Sequence, residues 1–397
     1  MSGCMDRQLR DLLEAAVGEP PHLVTLEAVH RRVARRRVID FMAAATMALL
    51  LAGLGVVVAT WVTGPGLANS HGLRAGVPRY YVQQQHLIAL YTLPPVTVVR
   101  ATATGAVTAT VHCPWPRAQV ASGIAAAGHQ TFFIVCQRGV WGMETVVTGS
   151  RIYQFRITDS GRIGGYSLVR GGIFNGLDAS HIAASSDGSE VAVVTTLDTP
   201  ANSLAEGIMV INTRTGARAV WHDSADVAGS FRPFGTLSLT GDGRELVFTA
   251  TPCFSHCRFG VMELRAVSPA ARGGRLDNSR VLLRLPSPHR AYMTGAVISP
   301  DGATLTVVFV NTPGPGPGRE SVSVVQFSDS TGRRIRVLYQ APTGNGIYYG
   351  FFSSDPSRRY LLLNVGPTIG PVNGWIDQGR LVRLTPANGT NVLYEAW

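Results

Sequence analysis

Apolar and polar positions along most of this chain form short strand-like runs that are interrupted by tight turns. The stretch AVISPDGATLTVVF (296–309) is the clearest example, because an apolar run enters Ser-Pro-Asp-Gly and a β-branched run leaves it. Asp-Gly between two apolar runs is a strong hairpin signal, and Pro300 presets the backbone for the turn. The same shape occurs five times in all, with turn residues spaced 58, 55, 59 and 54 residues apart: His129, Asp187, Asp242, Asp301 and Asp355.

A second hairpin pattern accompanies the first at the same period. Its turns carry glycines spaced 56, 55, 57, 59 and 57 residues apart: Gly105, Gly161, Gly216, Gly273, Gly332 and Gly389. The last of them lies in GRLVRLTPANGTNVLYEAW (379–397), which we interpret as the hairpin that ends the repeat. Two interleaved hairpins in one period predict units of four short antiparallel strands, here labelled A, B, C and D.

These units predict an all-β fold, a β-propeller of four-stranded antiparallel blades. One such sheet cannot bury both of its faces, whereas radial stacking buries them and leaves only short edges. Five units are complete, and residues 78–111 supply about three strands of a sixth. The missing strand comes either from residues 64–77 or from ring closure with the C-terminus. Six blades are favoured, and seven are the alternative.

The SPDG turns with their following hydrophobic strands resemble the WD-repeat-like units of TolB-type bacterial propellers. The resemblance covers residues 78–397, and it implies the fold only, because propellers host many functions. Two copies depart from the pattern, since the first has Gly-His and the last has Asp-Pro where Asp-Gly is expected. Looser or differently formed turns are expected there.

A membrane anchor is predicted ahead of the propeller. FMAAATMALLLAGLGVVVATWV (41–62) carries no charge, and its length matches the hydrocarbon core of a bilayer. The arginine cluster RRVARRR (31–37) precedes it, so the positive-inside rule places residues 1–40 in the cytoplasm. The remaining divisions are a linker at 63–77 and an extracytoplasmic propeller at 78–397. A cleaved signal peptide and a buried core helix are the alternatives for the apolar run.

Residues 6–17, DRQLRDLLEAAV, have apolar positions at helical spacing and predict one short amphipathic helix in the tail. Such a helix has no core of its own to bury its apolar face against. It lies on the membrane surface, self-associates or docks on a cytoplasmic protein.

The connections opposite the tight turns predict where a ligand binds. The B–C and D–A connections are the long ones, and long loops on a rigid scaffold commonly carry binding sites. Five residues at the start of A strands, near the central channel, are the candidates: His181, Arg232, Arg290, Tyr292 and Tyr349.

Four of the five cysteines lie in the predicted extracytoplasmic part, where disulfides persist. Three pairings are possible, and we favour Cys113–Cys136 with Cys253–Cys257, because the ends of neighbouring blades meet on the long-loop face. A metal site in CFSHC (253–257) has only three close ligands and an unusual spacing, so no metal is expected.

Composition and motifs narrow the function. The formal charge of +10 comes from 35 basic residues, all of them arginine, and it favours an anionic partner over a neutral one. The one dense arginine cluster is explained by membrane topology, so nucleic acid is not expected as a partner. No hydrolase elbow, zinc motif or nucleotide loop is present, so neither a cofactor nor a catalytic residue is predicted.

The leading hypothesis is therefore a non-enzymatic binding, scaffold or sensor module that recognises a protein or an envelope polymer outside the cell. One alternative is a transmembrane signaller whose N-terminal tail binds a cytoplasmic regulator. Another is an ectoenzyme, a lyase or glycosidase, with its site in the propeller channel.

Overall fold

A computed structural model describes residues 76–87, 95–116, 120–128, 130–140, 146–197, 205–222, 231–252, 262–284, 291–311, 321–342, 349–366, 372–377, 380–383 and 390–397. The chain divides into two units, Met1–Thr63 and Gly64–Trp397, and the described residues all belong to the second. The predicted anchor at 41–62 and the amphipathic segment at 6–17 lie outside the described residues. Within the described ranges, no helix has the length and apolar character needed to cross a membrane.

Five blades are each built from consecutive strands, as the repeat predicts. Blade 1 contains β4 (Val120–Ala127), β5 (Thr131–Val140), β6 (Val146–Ile157) and β7 (Ile163–Asn175). Blade 2 contains β8 (Ala179–Ala184), β9 (Glu190–Leu197), β10 (Ala205–Asn212) and β11 (Arg218–His222). Blade 3 contains β12 (Phe231–Leu239), β13 (Leu246–Pro252), β14 (Glu263–Val267) and, after the short β15 (Gly273–Arg275), β16 (Arg280–Arg284).

The last two blades have the same antiparallel order. Blade 4 contains β17 (Ala291–Ile298), β18 (Thr304–Asn311), β19 (Ser321–Ser328) and β20 (Arg334–Pro342). Blade 5 contains β21 (Tyr349–Ser354), β22 (Leu361–Gly366), β23 (Val372–Asp377) and β24 (Arg380–Arg383). In every blade the first strand is the inner one.

A composite sheet, here called the closing sheet, joins the two ends of the propeller. Its strand order is β25 (Thr390–Ala396), β1 (Tyr80–Leu87), β2 (Val96–Ala101) and β3 (Val107–Val111). Strand β25 pairs antiparallel with β1 and takes the inner position, between the inner strands of blade 5 and blade 1. The C-terminus therefore supplies the strand that residues 78–111 lack.

The prediction of six or seven blades needs correction. Five blades are formed by continuous chain, and the closing sheet completes the circle with strands from both ends instead of being a further self-contained blade. The interpretation of residues 379–397 as one hairpin is also wrong, because β24 belongs to blade 5 and β25 to the closing sheet. The coarser prediction, an all-β propeller of small antiparallel sheets, is confirmed.

Apolar side chains fill the space between neighbouring sheets. Between blades 1 and 2, for example, Val135 and Ile152 pack with Val191 and Val193. The closing sheet meets blade 1 through Val99 and the aromatic residues of β5 and β6. Alternate residues of each strand face opposite directions, so every blade contributes one apolar face to each neighbour. The core is thus a series of wedges arranged around the axis.

The Asp-Gly turns owe their shape to side-chain hydrogen bonds. In blade 4 the Ser299 hydroxyl donates to Asp301 Oδ1 at 2.6 Å, and the same oxygen accepts the Ala303 amide at 3.0 Å. Gly302 follows with φ +73°, a conformation that glycine adopts without strain. Blades 2 and 3 repeat this arrangement with Asp187 and Asp242. These bonds hold the pKa of Asp301 below its usual value.

The departing turn of blade 5 is aligned differently from the sequence interpretation. The Asp355 amide donates to Tyr360 O, just as Ser299 donates to Thr304 O in blade 4, so Asp355 corresponds to Ser299 and not to Asp301. Arg358 then takes the glycine position with φ +59°. A non-glycine residue in this conformation is uncommon and requires compensating contacts.

The C–D connection of blade 3 also differs from a simple hairpin. Residues Gly273–Arg275 form β15, which pairs in parallel with β11 at the outer edge of blade 2. Gly273 has φ +115°, and a Cβ there would lie 2.4 Å from Val220 O. The connection therefore covers an exposed strand edge, which protects it from pairing with other chains.

Candidate ligand-binding site

One end of the central channel is closed by the A–B turns. Backbone bonds join neighbouring turns, from Gly128 N to Ser186 O at 2.6 Å and from Gly241 N to Pro300 O at 3.1 Å. The Ser186 hydroxyl also donates to Pro356 O at 3.0 Å, and this bond joins blades 2 and 5, which are not neighbours in the ring. Because this bond crosses the axis, the described A–B turns obstruct the channel at their end.

Arg358 completes this closure. Its Nη2 donates to Leu239 O of blade 3 at 2.8 Å, and its Nη1 donates to Ser354 Oγ at 2.6 Å. Burial lowers the pKa of Arg358 to about 10, although the negative charge of Asp355 acts in the opposite direction. The guanidinium therefore stays charged at neutral pH and bonds the inner strands of blades 3 and 5, which are not neighbours in the ring.

Extra residues interrupt the inner strands near the open end. The pairing register shifts around Ser122 in β4, His181 in β8 and Thr294 in β17. A β-bulge redirects the side chain of the extra residue and is common next to functional sites. The Ser122 hydroxyl donates to Ala179 O of the neighbouring inner strand at 2.7 Å, so these bulges also bond one blade to the next.

His181 is the candidate residue that the structure describes in most detail. It is the bulged residue of β8, and its φ of +44° lies in the left-handed region. Strained backbone of this kind costs free energy and is concentrated at functional sites. Burial lowers the pKa of His181, so its imidazole is neutral at pH 7. A neutral imidazole can both donate and accept hydrogen bonds.

A second group of residues, here called the Trp115 cluster, lies where blade 1 meets the closing sheet at the long-loop end. The guanidinium carbons of Arg138 and Arg151 each lie 4.4 Å from the centroid of the Trp115 ring. Arginine over an aromatic ring is attracted by its quadrupole, by about 0.5–2 kcal/mol for each contact. The cluster comprises Trp115, Arg138, Arg151 and Gly149.

Strand pairing places these residues on one face of blade 1. Cys136 pairs with Arg151 and Arg138 with Gly149 across β5 and β6, so all four side-chain positions face the closing sheet. A Cβ at Gly149 would lie 3.5 Å from the Trp115 ring and 2.8 Å from Phe174 O. The glycine therefore leaves room for the buried indole.

The positive charge of the Trp115 cluster has no carboxylate partner among the described residues. Arg138 donates from Nη2 to Pro116 O at 2.8 Å, which is a neutral acceptor. Two guanidinium groups that share one aromatic ring repel each other, and an anion would relieve this repulsion. Both arginines are half-buried, so the repulsion is screened less than on the open surface.

The opposite face of the same strands holds the connection to blade 2. Gln137 Nε2 donates to Ala179 O at 2.9 Å and also to Asp178 Oδ1. The Ser150 hydroxyl donates to Leu177 O at 3.1 Å and accepts from Ala179 N at 3.0 Å. Burial raises the pKa of Asp178, while the Ala179 amide acts to lower it. These bonds fix the start of β8, and hence the position of His181.

The structure places the other candidates at equivalent points of the backbone. Tyr349 begins β21, while Arg232 and Tyr292 are the second residues of β12 and β17. All three therefore lie at the long-loop ends of inner strands, on the same rim as His181. Arg290 is outside the described residues. Their role in binding remains a prediction.

The cysteine prediction is confirmed for one pair. Cys113 and Cys136 form a disulfide with Cα atoms 5.7 Å apart, and it joins the closing sheet to blade 1. Cys253 and Cys257 lie outside the described residues, so their pairing stays a prediction. Among the residues that the structure describes, no group of three His, Cys, Asp or Glu side chains could hold a metal ion.

A separate cavity of about 780 Å³ lies in blade 1, on the short-turn side. Its lining includes Gln130, Arg156, Asp159 and Tyr166. It is an open groove beside the C–D hairpin, and none of its lining residues belongs to the Trp115 cluster. It is a competing location for a ligand.

Sequence reasoning missed the Trp115 cluster because its parts are dispersed. One local signal was available: Trp115 follows Cys113 by two positions and Arg138 follows Cys136 by two. Cys136 and Arg138 share a face of β5, and Trp115 lies two residues from the cysteine that pairs with Cys136, so the disulfide prediction already implied that the tryptophan and the arginine approach each other.

No family model matches this chain, and no curated protein matches it either. Among solved structures it is similar to the Dos1 propeller, with a TM-score of 0.40 and 13% identity over 72% of this chain and 74% of that one. It is also similar to an oligogalacturonate lyase in complex with manganese, with a TM-score of 0.40 and 15% identity over 68% of both chains.

A prolyl endopeptidase structure has a TM-score of 0.38 and 13% identity over 65% of this chain. The present chain spans only 34% of the length of that endopeptidase. Likeness at these identities concerns the fold alone and assigns no activity.

Proposed function

We propose that this protein is a membrane-anchored, extracytoplasmic propeller that binds a protein or an envelope component on its long-loop face without catalysing a reaction. The anchor is the apolar run at 41–62, and the propeller follows it. The proposal retains the resemblance to TolB-type propellers on the strength of the SPDG turns. The choice of the long-loop face as the binding face depends on one observation, the closure of the channel at the turn end.

The closure supports the proposal because the described turns obstruct the channel at the turn end, which favours the long-loop end for a ligand. The hydrogen bond from Ser186 to Pro356 and the Arg358 bridge occupy the axis at the turn end. At the other end lie the bulged His181 and the Trp115 cluster, on strands fixed by apolar packing from both sides. Rigid strands that present strained or charged residues at a rim are suited to binding.

Photocrosslinking tests the face used. A photoreactive residue is placed at Thr148, which is exposed at the long-loop end of blade 1, and in a second protein at Ser160, which is exposed in the C–D turn beside the blade 1 groove. The full-length protein is expressed in its own membrane and irradiated. Adducts from position 148 and none from 160 are expected, whereas the reverse pattern would refute the long-loop face.

Protease protection tests the anchor independently. Cleavage of intact cells or spheroplasts should remove the propeller and leave a protected fragment that contains residues 1–62. Release of the intact chain from membranes by high salt alone would contradict an integral anchor.

A further inference from the structure

The Trp115 cluster has features of a ligand site that the proposed function leaves unspecified. Its two arginines converge on one ring at 4.4 Å, and no carboxylate among the described residues neutralises them. Structural arginines are usually paired or hydrogen-bonded when they are withdrawn from water. Here the Nε atoms of both residues are buried with no hydrogen-bond partner in the described part of the chain.

The site is also held in place more firmly than a surface loop. The disulfide fixes the segment that carries Trp115 to the strand that carries Arg138. Arg138 and Arg151 project from paired strands whose other face is bonded to blade 2 through Gln137 and Ser150. Preorganised groups lose little conformational entropy when a ligand binds.

We infer that the Trp115 cluster binds the carboxylate of an acidic protein segment. The inference rests on the proposed function, since it names the ligand chemistry of the long-loop face. Guanidinium groups recognise carboxylates through charge-assisted hydrogen bonds, and two guanidiniums with no acid paired to them among the described residues suit such an anion.

Accessibility selects the type of carboxylate. Both guanidiniums are half-buried and their Nε atoms are enclosed, so only the Nη edges can meet a ligand. A glutamate carboxylate on a flexible arm can reach these edges. A carboxylate attached directly to a sugar ring brings bulk against the cluster, and inorganic phosphate, which the Nη donors could also bind, is a competitor in the test.

The test measures binding of a fluorescent hexaglutamate peptide to the full-length protein in detergent by anisotropy, at low and at physiological salt. Hexaglutamine is the neutral probe. The variants are Arg138→Gln, Arg151→Gln and their combination. Arg333→Gln is the control for the single variants, and Arg333→Gln with Arg334→Gln is the control for the double variant, because both residues are exposed on the opposite face and their loss changes the net charge equally. Near-ultraviolet dichroism of each variant verifies the fold.

Hexaglutamate should bind the wild type and Arg333→Gln with equal affinity, and hexaglutamine should not bind. The double variant should lose roughly tenfold or more in affinity, as expected for lost hydrogen bonds to a charged group. Arg151→Lys, which keeps the charge, should lose less than Arg151→Gln.

Equal affinity of the wild type and the folded double variant would overturn the inference. Competition by inorganic phosphate or by a uronate oligomer as effective as that by hexaglutamate would overturn the choice of an acidic protein segment. Either result leaves the long-loop face intact, because that face is tested separately by the crosslinking pattern from positions 148 and 160.

Discussion

Removal of the disulfide between Cys113 and Cys136 should loosen the junction on which both the ring and the Trp115 cluster depend. The bond joins the last strand of the closing sheet to blade 1, across a sequence separation of 23 residues. A crosslink of that span removes loop-closure entropy from the unfolded chain worth about 3.4 kcal/mol. Cys113→Ala with Cys136→Ala should therefore lower the free energy of unfolding by about 3 kcal/mol or slightly more.

The loss of stability beyond that of the crosslink comes from packing. Cys136 is fully buried beside Phe132 and Tyr153, so loss of its sulfur also leaves a small void. The comparison is made in the Cys253→Ala, Cys257→Ala background, where strong reductant opens only the Cys113–Cys136 crosslink and keeps both of its sulfur atoms. In that background, the difference in free energy of unfolding between the reduced protein and the Cys113→Ala, Cys136→Ala variant measures the packing contribution. The rest of the total loss measures the crosslink.

Urea unfolding followed by tryptophan fluorescence provides the free energies. Cys253→Ala with Cys257→Ala is the matched control, because it keeps the Cys113–Cys136 disulfide and should lose about 3 kcal/mol when reductant opens that bond. The Cys113→Ala, Cys136→Ala variant should lose much less free energy of unfolding when reductant is added. If the Cys113→Ala, Cys136→Ala variant has the wild-type free energy of unfolding under oxidising conditions, the disulfide does not stabilise the fold and the reasoning is wrong.

Three further perturbations test closure, the bulge and the contact between inner strands. Trp397 is buried against Tyr360, with ring centroids 6.1 Å apart, so Trp397→Ala should cost about 3–5 kcal/mol in urea unfolding and Trp397→Phe clearly less. Because the pKa of His181 is lowered in the fold, wild-type stability should fall as the pH drops below the ordinary value of 6.5, where the unfolded chain takes up the proton first. His181→Asn, which tolerates the same backbone, should lack that part of the loss between pH 7.5 and 5.5, and equal pH dependence would contradict the assignment. A Cβ at Gly295 would lie 2.6 Å from Phe352 Cβ, so Gly295→Ala should cost about 1–3 kcal/mol, whereas Gly164→Ala, with its nearest atom at 3.6 Å, should be close to neutral.

The features predicted most accurately are local ones. The Asp-Gly hairpins of blades 2, 3 and 4 follow from neighbouring residues alone, since Asp301 and Ser299 bond within their own turn. The strand that completes the closing sheet could not be chosen in the same way. The segment Thr390–Ala396 could form the end of a hairpin or pair with Tyr80–Leu87. Its apolar residues Val392, Tyr394 and Ala396 alternate along the strand and suit either neighbour.

The residues of the candidate site differ in the same way, because some depend on local pattern and others on the pairing of strands. The Cys113–Cys136 pair follows from positions at strand ends and is confirmed, whereas the binding role of His181, predicted in the same way, stays a prediction. Arg151 was not, because it meets Trp115 only when β5 and β6 pair in register and the closing sheet packs against them. The strain at His181 was equally invisible, since a β-bulge depends on the pairing of two strands and not on the identity of one residue.

The amino-acid sequence by itself determined the period, the turns and the strand faces, because these depend on backbone preferences and on alternation over a few residues. Only the tertiary structure decided how the two ends of the propeller join, which channel mouth is closed and which arginines converge on Trp115. Those outcomes depend on packing between sheets, where residues far apart in the chain compete for the same apolar surface and the same hydrogen-bonding groups.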